Sequence, residues 1–473
     1  MTAPPGTPPA PPVPPPPPAH PLAGGRRGPH ALRPLLDTVL EALHSGAEER
    51  RGPLPAGGPD ALAARVAAAL GDVLPAKGHG DQEALRTLVH TLAAGAADPA
   101  DPLCAAHLHG PPLAVSAAAD LAASALNPSL DSWDQAPAAS AIEALLTRAL
   151  AGEFYDTPRP DALVTTGGTE ANQLALLLAR ERHGPHLTVL HGANAHHSVP
   201  RAAWLLGLPA ATPLPTPAGT LDPARLAEAF AATTGPVLVT ATAGTTDAGL
   251  IDPLEPIADL CERHGADLHV DAAYGGLLAL SPRHRPRLAG LARARSLTVD
   301  LHKLGWQPVA AGLLAVPDTA LLAPLAHQAD YLNAPDDTEA GLPDLLGRSL
   351  RTTRRPDALK IAVTLRSLGR DGLAHLIDRT CELAQYLARR LDAHPRFELH
   401  APPTISTVLF RPTRTDDTGL AALRRTLLHA GHAVLGRATA DGRLWLKATL
   451  LNPHTTPRDL DTLVTLLEGS SHR

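Results

Sequence analysis

Residues 297–306 have the sequence Leu297-Thr298-Val299-Asp300-Leu301-His302-Lys303-Leu304-Gly305-Trp306. The apolar run at residues 297–301 predicts a buried strand, and Lys303 follows where that strand ends. Similar short runs recur upstream at residues 162–164, 187–190, 237–242 and 267–271, and most of them precede an amphipathic helical stretch. This alternation predicts an α/β fold with a mainly parallel sheet, in which ligands bind at the carboxyl ends of the strands.

Lys303 is a candidate for chemistry that requires an amine. The chain has only four lysines, at positions 77, 303, 360 and 447. A lysine that is desolvated at the end of a strand can form an imine with an aldehyde. The alternative is an ordinary surface lysine, which the apolar strand residues and His302 beside it disfavour.

A second strand end carries an acid, in the stretch Leu268-His269-Val270-Asp271-Ala272-Ala273-Tyr274-Gly275-Gly276. A carboxylate at the end of a buried strand is costly unless a cation meets it. A protonated ring nitrogen would meet it, and small residues such as Ala273 leave room for a flat ring. The alternative is an aspartate that only caps the following loop.

A third element, upstream of both, is Thr165-Thr166-Gly167-Gly168-Thr169-Glu170-Ala171-Asn172, between a short strand and a helical stretch. Its glycines permit a tight turn, and the free N–H groups at a helix start suit a phosphate. A plain strand–turn–helix with Thr169 as N-cap is the alternative. Taken together in this order, the three elements predict a pyridoxal 5′-phosphate (PLP) enzyme, with Asp271 and Lys303 at opposite ends of the ring.

With these elements the sequence resembles the group II PLP-dependent decarboxylases, from about residue 105 to the C-terminus. The resemblance is strongest to the L-2,4-diaminobutyrate and siderophore-type lysine decarboxylases. The stretches that carry it are His107–Pro112, Asn127–Gln135, Ala329–Asn333, Thr352–Lys360 and Leu450–Thr456. The resemblance implies PLP-dependent transferase fold type I (aspartate aminotransferase-like), with a small α+β domain after the large one.

The resemblance also implies roles for individual residues. His196 would stack on the cofactor ring, and Thr246 would hydrogen-bond its phenolic oxygen. Gly168, Thr169 and His302 would hold the phosphate. Tyr331 would protonate the substrate carbon after CO₂ leaves. The catalytic set is therefore expected to be Lys303, His196, Asp271 and Tyr331. A metal pair of His196 with His197 is the alternative, and it is disfavoured because adjacent histidines on a strand point apart.

The expected reaction is decarboxylation of an L-amino acid, with a diamino or basic acid as substrate. Asp131 and Asp134 would offer acceptors for a terminal ammonium. Departures from relatives are expected to affect the substrate pocket, since Gly110 and Gly305 open space there; Lys447 stands where many relatives have arginine. Alternatives are an aldehyde-forming decarboxylase or a lyase on the same fold, or a non-catalytic binding subunit.

Composition and net charge argue against several other classes of protein. The net charge of −6 argues against a nucleic-acid partner, and no apolar stretch is long enough for a membrane span. Three scattered cysteines predict neither a metal site nor disulfides, and they favour the cytoplasm. Family members are homodimers, so a homodimer with a small-molecule substrate is expected.

Four segments are expected along the chain. Residues 1–30, rich in proline, predict a disordered tail, and residues 31–105 predict a set of helices. Residues 106–375 would form the large PLP-binding domain, and residues 376–473 the small C-terminal domain.

Overall fold

The structure is a computed structural model that describes residues 20–327, 329 and 332–470. Its α-helices are α1 Gly28–Arg50, α2 Gly58–Leu70, α3 Asp81–Gly95, α4 Ala114–Leu126, α5 Pro137–Ala151, α6 Gly168–His183, α7 Ser198–Leu205, α8 Pro223–Ala232, α9 Leu254–His264, α10 Pro335–Glu339, α11 Ala358–Asp392, α12 Asp417–His429 and α13 Pro457–Ser470. Its strands are β1 Cys104–Ala105, β2 Asp161–Thr165, β3 Thr188–Gly192, β4 Thr212–Leu214, β5 Val237–Thr242, β6 Asp267–Asp271, β7 Ser296–Asp300, β8 Gly312–Val316, β9 Phe397–Leu399, β10 Thr407–Pro412, β11 Val434–Ala440 and β12 Arg443–Thr449. Short 3₁₀ segments lie at Gly276–Leu280, Arg285–Leu288, Leu291–Arg293, Thr319–Leu325 and Leu346–Arg348.

A seven-stranded sheet with the order β2-β8-β7-β6-β5-β3-β4 forms the centre of the large domain. Only β8 runs antiparallel to its neighbours, so the other six strands share one direction. Every residue of β2, β5, β6, β7 and β8 is buried, because helices cover both faces of a parallel sheet. The predicted α/β fold is confirmed, and the bounds of β5 and β6 are the predicted ones.

A second sheet, with the order β1-β11-β12-β10-β9, forms the C-terminal part of the chain. The strand β1 pairs with β11 in parallel, so residues 104–105 join this sheet from far upstream. The helix α11 begins at Ala358, and it crosses the boundary expected between residues 375 and 376. It bends at Gly369, where φ is +66°. Such an angle interrupts the helical periodicity at this residue, and glycine tolerates it because it has no Cβ.

The N-terminal helices α1 and α3 pack closely against each other. A side chain at Gly46 would place its Cβ 2.6 Å from the Cβ of Ala93, so glycine permits this approach. The helix α1 begins at Gly28, inside the segment expected to be disordered up to residue 30. Pro29 does not prevent this, because proline is accepted in the first turn of a helix. The first 19 residues of that expected tail lie outside the described residues.

Among the described residues, none of the helices combines the length and the apolar character needed to cross a membrane.

Candidate active site

A cavity of about 400 Å³ lies at the carboxyl ends of β2, β5, β6 and β7. Four loops that follow these strands supply its walls. The lining residues are Leu108, Thr166, Gly167, Gly168, Thr169, His196, Thr242, Gly244, Thr246, Asp271, Ala273, Tyr274, Asp300, His302, Lys303 and Val309. The predicted catalytic and cofactor-binding residues that the structure describes therefore meet at one place, whereas Asp131 and Asp134 do not line this cavity. Tyr331 lies outside the described residues.

The turn between β2 and α6 forms one wall. Gly167 has φ +152°, and a Cβ there would lie 3.0 Å from His302 Cε1. A Cβ at Gly168 would lie 3.1 Å from the Cβ of Ala273, so side chains at either position would fill the cavity. The helix α6 begins at Gly168 without a side-chain cap, which rules out Thr169 as the N-cap. Its first N–H groups are left available to an anion.

Lys303 stands opposite this turn. Its Nζ is 3.0 Å from Asp300 Oδ2, and its side chain is 17% exposed. His302 Nε2 is 3.5 Å from the same carboxylate oxygen. The surface-lysine alternative is therefore wrong. Asp300 was not predicted as a site residue, although it is the last residue of buried β7 just as Asp271 is the last residue of buried β6.

Both oxygens of Asp271 accept hydrogen bonds from the protein. Oδ1 accepts from the backbone N–H of Ala273 at 3.1 Å, which is a local loop cap. Oδ2 accepts from the Nδ2 of Asn172 at 2.8 Å. The alternative that Asp271 only caps the following loop therefore describes Oδ1 alone. Oδ2 belongs to a buried hydrogen-bond network.

Asn172 joins Asp271 to two histidines. Its Nδ2 also donates to Ser198 Oγ at 2.8 Å, and Ser198 Oγ lies 2.8 Å from His196 Nδ1. Its Oδ1 lies 3.0 Å from His269 Nε2 and accepts from Thr298 Oγ1 at 2.7 Å. Because Oδ1 can only accept, His269 must carry its proton on Nε2.

The same reasoning assigns the proton of His196. Ser198 Oγ accepts from Asn172, so its own hydrogen is free to be donated to His196 Nδ1. The backbone N–H of Ser198 points to the same nitrogen at 3.3 Å. Burial lowers the pKa of His196 below its ordinary value, which favours the neutral ring. A neutral His196 that accepts at Nδ1 carries its proton on Nε2.

Burial also keeps His269 neutral. It lowers the pKa of this histidine to about 4, against the attraction of Asp271. Ser296 Oγ, 2.8 Å from His269 Nδ1, then donates to that nitrogen. Sequence reasoning missed Asn172, Ser198, His269 and Thr298 as functional residues. Of these residues, Asn172 could have been noticed in the sequence, because it is an amide among the alanines and leucines of one helix face. The structure shows that it is fully buried.

His196 and His197 immediately precede α7, with His197 at its N-cap position, and neither is on a strand. Their ring centroids are 4.1 Å apart, so the expectation that adjacent histidines point apart is wrong here.

Thr246 lies at the exposed rim of the cavity, and its carbonyl accepts from Lys447 Nζ at 3.1 Å. Burial lowers the pKa of Lys447. This buried lysine therefore reaches the cavity rim from β12.

The expectation that Gly110 and Gly305 open space in the pocket is wrong. Neither residue lines the cavity. A Cβ at Gly305 would lie 2.4 Å from the carbonyl oxygen of Leu301, and one at Gly110 would lie 3.3 Å from that of Lys303. These glycines allow close backbone packing beneath Lys303.

Comparison with known proteins assigns the family. A sequence profile described as "Pyridoxal-dependent decarboxylase conserved domain" matches residues 70–413, well over half of the chain. The chain belongs to this family. It is therefore a PLP-dependent carboxy-lyase that acts on an amino acid, and its fold is that of type I PLP enzymes.

Several relatives are similar over most of their length. L-2,4-diaminobutyrate decarboxylase of Rhizobium meliloti is 41% identical over 82% of this chain and 81% of the relative. The enzyme of the same name from Acinetobacter baumannii is 31% identical over 84% and 85%. A solved structure, the glutamate decarboxylase domain of diaminobutyrate-pyruvate transaminase and L-2,4-diaminobutyrate decarboxylase from Vibrio parahaemolyticus, has a TM-score of 0.85 at 32% identity, over 96% of this chain and 98% of that one.

The cavity of this PLP-dependent decarboxylase fits its cofactor. The turn at Gly167 and Gly168 leaves a cradle that any Cβ would fill, beside the start of a helix. Asp300 Oδ1 is buried in the cavity wall without a hydrogen-bond partner among the described residues. An amine and two carboxylates line the same space as the phosphate-binding turn. This set offers groups for a phosphate, an aldehyde and a ring nitrogen together.

Proposed function

We propose that this decarboxylase acts on a diamino acid, with L-2,4-diaminobutyrate as the first candidate. The observation that carries the proposal is the 41% identity to the Rhizobium meliloti enzyme of that name, over 81% of its length. The reaction would break the bond between Cα and the carboxylate, release CO₂ and place a proton on Cα. The product of this substrate is 1,3-diaminopropane.

Five residues would hold the cofactor. Lys303 would bind it covalently through the amine, and Thr246 would hydrogen-bond its phenolic oxygen. Gly168, Thr169 and His302 would hold the phosphate at the start of α6, where backbone N–H groups and the helix dipole favour an anion. The position of all five around one cavity supports these roles.

Asp271 would keep a proton on the ring nitrogen, beside the small side chain of Ala273. When bound, PLP supplies an electron sink for the pair that remains on Cα after CO₂ leaves. The contribution of Asp271 is electrostatic, and Asn172 maintains it by holding one carboxylate oxygen at 2.8 Å.

His196 would cover one face of the ring. With its proton on Nε2, it offers a neutral donor in the cavity, and Ser198 holds it there through Nδ1. Tyr331 stays the proposed donor of the proton to Cα, from outside the described residues.

The substrate proposal is tested by measuring CO₂ release from a panel of amino acids. We expect the highest kcat/KM for 2,4-diaminobutyrate, followed by ornithine and lysine. A higher value for glutamate, cysteine sulfinate, tyrosine, tryptophan or valine would contradict it. The same assay records ammonia, because an aldehyde-forming reaction would release ammonia with CO₂ and simple decarboxylation would not.

We propose a homodimer with the active site near the subunit interface. The support is an apolar groove of about 580 Å³ between α1 and α4, where Leu40 is 63% and Leu126 is 72% exposed. Exposed leucines concentrated in one area are typical of a protein interface. Neither Asp131 nor Asp134 lines the cavity of its own chain, so they would reach a substrate only across such an interface. Sedimentation equilibrium tests the dimer, and a monomer at micromolar concentration would contradict it.

We also propose a cytoplasmic location. Its support is that Cys104, Cys261 and Cys381 are all free thiols. Fractionation of cells that express the enzyme tests this.

A further inference from the structure

A second cavity, of about 530 Å³, lies between the segment after β6 and the helix α11. It shares no lining residue with the cofactor cavity. We name it the arginine cavity, and its charged and titratable walls are formed by Arg283, His284, Arg287, Arg379, Glu382 and Arg389, with Tyr386 at one side. Among the described residues, four arginines and one glutamate line the cavity, and the carboxylate of Asp378 lies 3.4 Å from His284. The formal excess is therefore two positive charges.

His284 is the unusual residue of the arginine cavity. It is only 3% exposed, and neither ring nitrogen has a hydrogen-bond partner among the described residues. Its nearest acceptor is Asp378 Oδ1, at 3.4 Å from Nε2, and that oxygen already accepts from Ser281 at 2.6 Å. A buried polar ring without partners costs free energy. Both ring nitrogens are almost fully covered, so a ligand oxygen would supply the missing acceptor only after the ring turns toward the cavity.

The arginines keep many donors available. Arg389 makes no hydrogen bond or ion pair with its side chain in the described part of the chain. Arg379 uses one nitrogen on the carbonyl of Thr455 at 3.1 Å, and Arg287 donates to the carbonyl of Thr404. Arg283 is paired with Glu382 at 2.5 Å. Since a guanidinium has five N–H groups, most of the donors in the cavity are unused.

We propose that the arginine cavity binds a small molecule that carries a phosphate group. Guanidinium groups match phosphate oxygens with paired N–H donors, and an excess of two positive charges favours a ligand with two or more negative charges over a monocarboxylate. The volume is within the range of small-molecule sites. After a turn of its ring, neutral His284 would add one N–H to the phosphate at the buried end of the site.

The test uses enzyme that is fully loaded with PLP, so that the cofactor already occupies the phosphate-binding turn at Gly168. Inorganic pyrophosphate is titrated by calorimetry into the wild type and into two variants, each with a substitution at an exposed arginine. Arg389→Gln removes a donor that has no side-chain partner among the described residues. Arg390→Gln is the matched control, because Arg390 is next in the helix, pairs with Asp461 at 2.8 Å and does not line the cavity.

We expect one pyrophosphate per chain, with affinity reduced about tenfold or more in Arg389→Gln and unchanged in Arg390→Gln. Decarboxylation without added phosphate should be the same in all three proteins. Absence of saturable binding, or equal weakening in both variants, would overturn the proposal. Tighter binding of citrate than of pyrophosphate would overturn the assignment to phosphate.

A second variant tests His284 itself. Leucine has a similar volume and no polar atoms, so His284→Leu should retain or raise the melting temperature while pyrophosphate binding weakens. A loss of melting temperature with unchanged binding would show that His284 is a structural residue and does not face the ligand.

Discussion

Asn172 and Asp271 are 99 residues apart in the chain, yet the amide of one holds the carboxylate of the other at 2.8 Å. Asn172 is on the helix that begins at the phosphate-binding turn, and Asp271 ends a strand in the middle of the sheet. Through this contact, the segment proposed to hold the phosphate also orients the proposed partner of the ring nitrogen.

Asn172→Ala should impair catalysis as well as stability. It removes one hydrogen-bond partner from each of Asp271, Ser198 and His269 in a buried site, at a cost of about 1–3 kcal/mol for each lost partner. We expect kcat to fall about tenfold or more and the absorption spectrum of the bound cofactor to shift. Asn452→Ala is the control, because Asn452 is also buried and hydrogen-bonded but shares no hydrogen bond with this network in the described part of the chain. Equal kcat in the two variants would contradict a positioning role.

Asp271→Asn should retain PLP and lose most of its activity, because an amide cannot keep the ring nitrogen protonated. The expected loss in kcat is on the order of 10³-fold. Asp267→Asn, at the other end of β6, is the control and should keep normal turnover. The proposal fails if the Asp271 variant turns over at a near-normal rate.

Borohydride reduction should attach the cofactor to Lys303. This lysine lines the cofactor cavity, whereas Lys360 is 1% exposed and is held by Asp120 and Asp357. Peptide mapping by mass spectrometry gives the position. Label on Lys447, whose amine reaches the carbonyl of Thr246, would be the informative contradiction.

Stability should depend on pH through Asp252. Burial raises the pKa of this carboxyl from 3.8 to about 6, so the folded state holds its proton more tightly than the unfolded state does. The contribution of Asp252 to the free energy of unfolding is therefore full below about pH 4. It is lost as the pH rises through about 6, a change of about 3 kcal/mol. Denaturant unfolding of wild type and Asp252→Asn at pH 4.5 and 7.5 tests this. From pH 4.5 to pH 7.5, the free energy of unfolding should fall more in the wild type than in Asp252→Asn. An equal change in both proteins would contradict the prediction.

Gly305→Ala should disturb the enzyme more than Gly110→Ala. The added Cβ would lie 2.4 Å from a backbone oxygen in the first case and 3.3 Å in the second. Because backbone cannot move aside cheaply, we expect a lower melting temperature and weaker cofactor retention for Gly305→Ala only. A widened substrate range in Gly110→Ala or Gly305→Ala would be inconsistent with their positions outside the cavity.

The sequence by itself determined the α/β class, the strands that end at the site and the candidate residues Lys303, Asp271 and Gly168. These depend on local information. Apolar runs of strand length, tight glycine turns and a shortage of lysines can be recognised without knowing which strands are neighbours.

The tertiary structure alone decided which polar residues work together. His269 meets Ser296 because β6 pairs with β7 in that register. Asn172 reaches Ser198, Asp271 and His269 because α6 packs against the sheet and α7 there. The arginine cavity likewise joins residues 283–287 to residues 379–389. Such contacts depend on strand register and helix packing between distant segments, and these are fixed by burial of the whole core, which no local pattern reveals.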